Sequence, residues 1–437
     1  MPYCRKTTKL KKLEKLRDYY IDTEICLTKV SLFPDFDKSL SPKERMFSQS
    51  VQERITELCE KVSYRSTEYF VNKFLHREGP EAFHHRTIAD SMEASGEALS
   101  VAMDEHVSDI LIKNDFNPDT ALPNNPESLP KSVSAPNMLP NKKMKKLFHN
   151  AVLDYNAKHG DFPIGVVPVH FLPIDIERRV IYISVDDVLV KRQKEARKSE
   201  AKDRRVNVAN TVIHIQVDGK VYIITAVGIK EAFRILVAFL LENNLFEGRQ
   251  LIFMSDGAKE IKDYAEKFFS WRPYVLILDW FHLAKRIREM ISMCLKLPKD
   301  DKGPFIQKIL NYLWVGNVDG AITYIRSFKK KIIKNADVHE EMVAYLLRKK
   351  ENICCHALRR EFKLRLSSNT AEKSNDLVVA DRQKHNGMSW SYEGSGSLAL
   401  LSATVRNNAL SLWIEERKVS LNLKEVGQNL EEETTAA

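Results

Sequence analysis

Five apolar runs of strand type between Val180 and Leu278 constrain this chain more than any other feature. They read VIYISVDDVLV, VNVANTVIHIQV, KVYIITAVGI, LIFMS and YVLIL, rich in the β-branched and aromatic residues that suit a pleated surface. Asp218-Gly219 separates the second run from the third, and such a pair accepts the positive φ that a two-residue hairpin turn demands. An apolar helix from Glu231 to Glu242 and another from about Ala258 to Phe269 divide the remaining strands. The order strand, hairpin, helix, strand, helix, strand predicts an α/β layered fold around a mixed sheet.

Carboxylates stand in or just after these runs. Asp186, beside Asp187, lies in the first run, Asp256 follows LIFMS, and Asp279 follows YVLIL with His282 on the next turn. Glu372 opens a further helix in SSNTAEKSND. Each has an ordinary structural reading. Asp186 or Asp187 suits a turn or an arginine partner, and Asp256 suits a helix cap before Gly257. His282 suits a buried hydrogen-bonded histidine, and Glu372 a capping box begun at Asn369. Taken together they suit other chemistry. Carboxylates brought from separate elements to one sheet edge can bind paired divalent ions, which clamp the attacking and leaving oxygens of a phosphodiester.

The composition fits that frame. The chain has 437 residues, long enough for two or three domains, with 68 Lys and Arg against 59 Asp and Glu and a formal net charge of +9. The modest excess tilts toward a polyanionic partner. Cys4, Cys26, Cys59, Cys294, Cys354 and Cys355 form no CxxC pair, so they read as reduced intracellular thiols rather than a zinc site. No secretory or membrane-spanning run is visible, and the protein is expected to be neither exported nor membrane-embedded.

Along the chain, residues 1–113 read as a helical DNA-binding or dimerisation domain. In it a helix from Arg86 to Met92, a turn ending at Gly96 and a second helix from Glu97 suggest a helix-turn-helix or a plain helical hairpin. Residues 114–146 hold six prolines before the basic KKMKK cluster and read as a linker. Residues 147–282 form the first part of the core, 283–366 a helical insertion broken near Gly316 and Gly320, 367–415 the last part of the core, and 416–437 a disordered tail.

SDGAKEI, LDWFHLAKRI and SSNTAEKSND together resemble the DDE transposases, in particular the Mutator-like group and its bacterial insertion-sequence relatives. SDGAKEI resembles the block around that group's second catalytic aspartate. LDWFHLAKRI resembles its motif of Cys or Asp followed three residues later by His, and SSNTAEKSND its N-x-x-E block. DRQKHNGMSWSYEGSGSLALL resembles the tail block of one insertion-sequence branch. The resemblance spans roughly Val180 to Trp413. It implies an RNase H-like fold with an all-helical insertion and with Asp186, Asp256 and Glu372 as the catalytic, metal-binding triad. Asp279 and His282 would be auxiliary. It implies two Mg²⁺ ions, replaceable by Mn²⁺, that serve hydrolysis at the ends of a transposon and then attack of the freed 3′-hydroxyl on target DNA. The partner would be double-stranded DNA, both transposon ends and target, held by a homo-oligomer. No nucleotide is expected, since no GxxxxGK[ST] loop is present. The location would be the nucleoid of a prokaryotic cytoplasm or a eukaryotic nucleus. The doubled Asp186-Asp187 leaves the first ligand open, and no cysteine-rich zinc module precedes the core.

DNA contacts follow from charge. Lys191, Arg192, Lys194, Arg197, Lys198, Arg204 and Arg205 form the densest basic run, and Lys285, Arg286 and Arg288 follow His282. Arg382, Gln383 and Lys384 precede Trp390, a ring that could stack on a splayed base or lie in the core. Two other readings share the motifs: a transposase-derived DNA-binding protein without catalysis, and an RNase H-like nuclease.

Overall fold

The computed structural model describes residues 18–23, 26–31, 49–74, 79, 82–129, 142–165, 180–193, 207–384 and 388–423. Strands β1 (Asp18–Thr23) and β2 (Cys26–Ser31) pair antiparallel near the start. Helices α1 (Gln49–Lys61), α2 (Tyr64–Phe74), α3 (His85–Lys113) and α4 (Lys142–Lys158) follow. Then come β3 (Val180–Lys191), β4 (Asn207–Val217), β5 (Lys220–Val227), α5 (Ile229–Glu242), β6 (Gln250–Ser255), α6 (Lys259–Phe269) and β7 (Tyr274–Leu278). Next are α7 (Trp280–Cys294), α8 (Gly303–Trp314), α9 (Val318–Arg326), α10 (Ala336–Lys349) and α11 (His356–Glu361). The chain returns through α12 (Asn369–Asn375), a π-helical turn over Asp376–Ala380 and α13 (Asp381–Gln383) to α14 (Tyr392–Arg406) and α15 (Leu410–Glu416).

The second sheet has five strands in the order β5-β4-β3-β6-β7. β3, β4 and β5 run antiparallel, while β6 and β7 lie parallel to β3. Asp218 and Gly219 take φ of 50° and 80°, as the hairpin turn requires. Strand alternation gives each face its own partner. Ile181, Ile183, Val185, Ile213 and Ile215 pack with Phe233, Phe253, Phe268 and Phe269 under α5 and α6. Val188, Val212 and Ile223 meet Val51, Ile55, Ile88, Leu99, Leu398 and Trp413 on the other face. Helices α7 to α10 enclose a core of their own, with Leu283, Ile287, Leu313 and Met342. An asparagine side chain bonds the backbone of each outer strand of the sheet. The Asn407 carboxamide accepts from Ile223 N at 2.9 Å and donates to Ile223 O at 2.8 Å on β5, and Asn352 Nδ2 donates to Leu276 O at 3.2 Å on β7.

Five expectations change. The turn at Gly96 does not form, and His85 to Lys113 is one helix of 29 residues. Gly96 serves close packing instead, since a Cβ there would meet Ser397 Cβ of α14 at 2.3 Å. The helices before residue 113 share their cores with the sheet. Residues 114–129, expected as linker, pack on the sheet core through Phe116, Ala121 and Leu129, with Phe116 edge-on to Trp271 at 5.5 Å. The expected disordered tail begins as ordered chain: Leu421 is buried, its carbonyl accepts from Asn243 Nδ2 at 2.8 Å, and Tyr222 Oη donates to Ser420 O at 3.2 Å. In the insertion, Gly316 takes φ of 76° at the break, whereas Gly320 lies inside α9 and donates to the cap Asn317 at 2.8 Å. Helix α4 packs through Tyr155 on Leu358 and Val315, next to the insertion. Among the described residues no helix is long and apolar enough to cross a membrane.

Candidate active site

The sheet register places three carboxylates at one level. Ser184 pairs with Met254 and Met254 with Ile277, so Asp186, Asp256 and Asp279, each two residues further on, stand side by side at adjacent parallel strands. Asp256 and Asp279 each directly follow the last residue of β6 and β7, Asp279 N donates to Ser255 O at 2.8 Å, and Asp186 in β3 lies close enough to Asp256 to feel its charge. The chain leaves β3 toward β4 on one side and later returns to β6 on the other. Asp186 and Asp256 flank that change in strand order.

Asp186 is partly buried. Its Oδ1 accepts from Asp187 N at 2.9 Å, and its Oδ2 accepts from Asn375 Nδ2 of α12. Burial, and then the charge of Asp256, push its carboxyl up to about 6. Asp187 points to the opposite face, where Thr211 Oγ1 donates to it at 2.5 Å. Burial raises its pKa too, and Glu260 and Asp256 add to that. Asp256 is exposed, and its Oδ1 accepts from Ala258 N at 2.7 Å across Gly257, whose φ is 95°. A Cβ on Gly257 would meet Leu278 Cδ1 at 2.8 Å, so glycine satisfies both the backbone angle and the packing. Lys349 Nζ reaches across from α10 to the Gly257 carbonyl at 2.8 Å.

Asp279 has no exposed surface and caps α7. Its Oδ1 accepts from His282 N at 2.9 Å and faces His282 Nδ1 at 3.2 Å. Its Oδ2 accepts from Ser368 N at 2.5 Å and Ser368 Oγ at 3.1 Å. Burial alone would raise its pKa, but the bonds from His282 and Ser368 outweigh burial and hold it below the usual range. With Nδ1 held by Asp279, His282 presents Nε2 to Glu372 Oε1 at 3.4 Å. The Asp279 hydrogen bond raises the imidazole pKa against its partial burial, and the charges of Asp279, Glu372 and Asp256 add to the rise.

Glu372 sits in the first turn of α12, half exposed. The capping box is not formed: Ser368, not Asn369, is the N-cap, and no side chain caps the helix. The structure thus brings Asp186, Asp256, Asp279, His282 and Glu372 to one edge. Among the described residues, no group of three or more His, Cys, Asp or Glu is already arranged to hold a metal ion. In this geometry Asn375 engages Asp186 and His282 faces Glu372.

Sequence reading missed Asn375 and Ser368. Asn375 lies three residues after Glu372, on the same side of a helix, and that spacing was the available signal. Ser368 carried no signal, because its bond to Asp279 spans 89 positions.

The basic residues divide. Lys285, Arg286 and Arg288 are exposed on α7 just past His282, with Arg286 Nη1 3.7 Å from Glu289. Lys191 and Lys384 are exposed, and Arg192 is partly so. Lys194, Arg197, Lys198, Arg204 and Arg205 lie outside the described residues. Trp390 and Arg382 are corrected to core positions. Trp390 is 7% exposed, its Nε1 donates to Gln383 O at 3.2 Å, and the Arg382 guanidinium lies 5.0 Å from its ring. Arg382 also donates to Cys59 O at 2.9 Å. The Trp390 ring fills the junction of α1, α2 and β3 instead of facing solvent.

No family model matches the chain, and no curated protein matches it. Among solved structures, the strand transfer complex of the Drosophila P element transposase is similar over 80% of this chain and 84% of that one, at 10% identity and a TM-score of 0.19. A likeness that slight carries no argument about fold or activity.

Proposed function

We propose that this chain is a DDE-type transposase with an RNase H-like core, cutting DNA at transposon ends and joining the freed 3′-hydroxyl to target DNA. The observation that carries the reading is the convergence of Asp186, Asp256 and Asp279 at adjacent strands of the sheet, with Glu372 reached from Asp279 through His282. A sheet of three antiparallel strands extended by two parallel ones, interrupted by a helical block before Glu372, supports the RNase H-like assignment.

The donor set fits hard divalent cations. Asp186 and Asp256 offer oxygens from adjacent strands, and burial first and then the charge of Asp256 raise the Asp186 pKa, a cost to the ionised carboxylate that a cation would relieve. Asp186, Asp256 and Glu372 would hold two Mg²⁺, or Mn²⁺ in their place, which supply charge neutralisation for the phosphodiester. The chain's own residues do the positioning. Asp279 fixes the ring of His282, His282 holds Glu372 over the edge, and Asn375 holds Asp186. Asp187, on the other face, serves the sheet through Thr211. Lys191, Lys285, Arg286, Arg288 and Lys384 would take DNA phosphates around the edge. Transposition requires two ends in one complex, so the working form is a homo-oligomer.

The test uses a duplex from the flanks of the gene with Mg²⁺, scoring nicking and strand transfer for the wild type and for Glu372→Gln. Cutting at a defined position, lost in the variant, supports the reading. Equal binding by both proteins with cutting by neither, in Mg²⁺ and in Mn²⁺, replaces it with a passive DNA-binding protein. Cutting without dependence on the terminal sequence replaces it with a general nuclease.

A further inference from the structure

Helix α2 turns an aromatic face to solvent. Its inner face is buried through Thr67 and Val71, while Tyr69, Phe70 and Phe74 on the outside are 59%, 36% and 70% exposed. The rings form a continuous set: Tyr69 meets Phe70 edge-on at 5.6 Å, and Phe70 stacks on Phe74 at 6.4 Å. Cations interleave them. Lys73 Nζ lies 5.4 Å from the Tyr69 ring centre, and Arg65, one turn before Tyr69, is exposed. The acid of this helix turns away, because Glu68 accepts from the His85 backbone at 3.0 Å and faces its ring at 2.9 Å. Nor is the helix remote from the candidate site. Tyr64 packs edge-on against Trp390 at 6.0 Å, and Trp390 N donates at 3.0 Å to Lys191 O, at the end of the strand that carries Asp186.

An aqueous face of three rings and two cations is poorly suited to remain bare. Its chemistry selects the occupant: rings stack on bases, and the cations meet the phosphates between them. A duplex hides its base faces, so the fitting ligand has bases outside a helix. We infer that the outer face of α2 binds single-stranded DNA by stacking bases on Tyr69, Phe70 and Phe74, with Arg65 and Lys73 on the backbone. This rests on the DNA-processing reading above and adds to it a place for an unpaired strand at a cut or frayed end.

The test measures fluorescence anisotropy of a labelled 20-nucleotide thymidine strand and of a labelled duplex with the full chain, at several salt concentrations. Tyr69→Ala with Phe74→Ala should weaken single-strand binding by about tenfold or more, with the salt slope and duplex binding unchanged. Arg65→Gln with Lys73→Gln should lower the salt slope by roughly 0.7 per charge removed. All four side chains are exposed, so circular dichroism should show an unchanged fold. Wild-type affinity for the single strand in the ring variant overturns the inference. So does a change of oligomeric state by light scattering with DNA binding intact, which makes the face a contact between copies. Duplex binding and cutting without single-strand binding overturns this inference alone. Failure on both probes removes the DNA reading itself.

Discussion

Asp279 accepts the backbone N–H of Ser368 at 2.5 Å, tying the end of β7 to the residue that caps the helix of Glu372. The same carboxylate holds the backbone and ring of His282, so one buried group sets two members of the candidate site. Asp279→Ala leaves the Ser368 N–H and Oγ and the His282 N–H without this acceptor in a buried place. The expected loss is about 2–4 kcal/mol by urea unfolding, and Asp279→Asn, which keeps one acceptor oxygen, loses less. An alanine variant within about 0.5 kcal/mol of wild type would show that the carboxylate does not organise this junction.

His282 sets a pH dependence whose sign is fixed. Its folded pKa is raised by Asp279 first and by neighbouring carboxylates as well. Its stabilisation is therefore fully present below the unfolded value of about 6.5 and is lost as pH rises through the raised folded value. Comparing wild type with His282→Gln in melts from acid to alkaline pH, the gap in stability should be widest on the acid side and shrink above neutrality. A gap that widens with rising pH contradicts the assigned ion pair. The magnitude stays modest, because the ring is 32% exposed and partly screened.

The strands were legible because their signal is local. Alternation and the Asp218-Gly219 turn read directly from neighbouring residues, and β3 to β7 lie where those signals put them, although Asp186 falls in the middle of β3 and not at its end. The level of Asp186 with Asp256 was not legible, since register is a pairing over 70 positions. The helix-turn-helix expectation failed for a related reason. Gly96 marked a break by its weak helix propensity, yet the backbone of α14 makes glycine the residue that fits inside a continuous α3. Trp390 and Arg382 looked like surface chemistry beside basic text, and only the junction with Tyr64 and Cys59 shows them to be packing.

Gly96→Ala tests that packing. Alanine is worth up to about 1 kcal/mol over glycine inside a helix. Its Cβ would, however, lie 2.3 Å from Ser397 Cβ and 2.6 Å from Ser397 Cα, and the latter is backbone that cannot rotate aside. Overpacking of this kind costs about 1–3 kcal/mol. The net expectation is destabilisation by chemical unfolding, with a partial rescue from Ser397→Gly. A variant more stable than wild type would mean that α3 and α14 sit further apart than described.

Asp186→Asn should separate stability from activity. The ionised carboxylate is opposed by burial and by Asp256, which push its pKa up to about 6. A carboxyl raised above its unfolded value of about 3.9 weakens the fold at neutral pH and weakens it less as pH falls through the folded value. Asparagine removes that charge and keeps an oxygen for Asn375 but gives up the acceptor of the Asp187 N–H, so the variant should gain about 1–2 kcal/mol at pH 7, with the gain fading toward pH 4. It should lose cutting altogether. Millimolar Mg²⁺ or Mn²⁺ should raise the melting temperature of wild type more than that of the variant, because an ion held by Asp186 and Asp256 stabilises only the folded chain with both ligands. Equal metal response in the two proteins would remove Asp186 from the metal site, and a loss of stability at pH 7 would contradict the raised pKa that burial and Asp256 give its carboxyl.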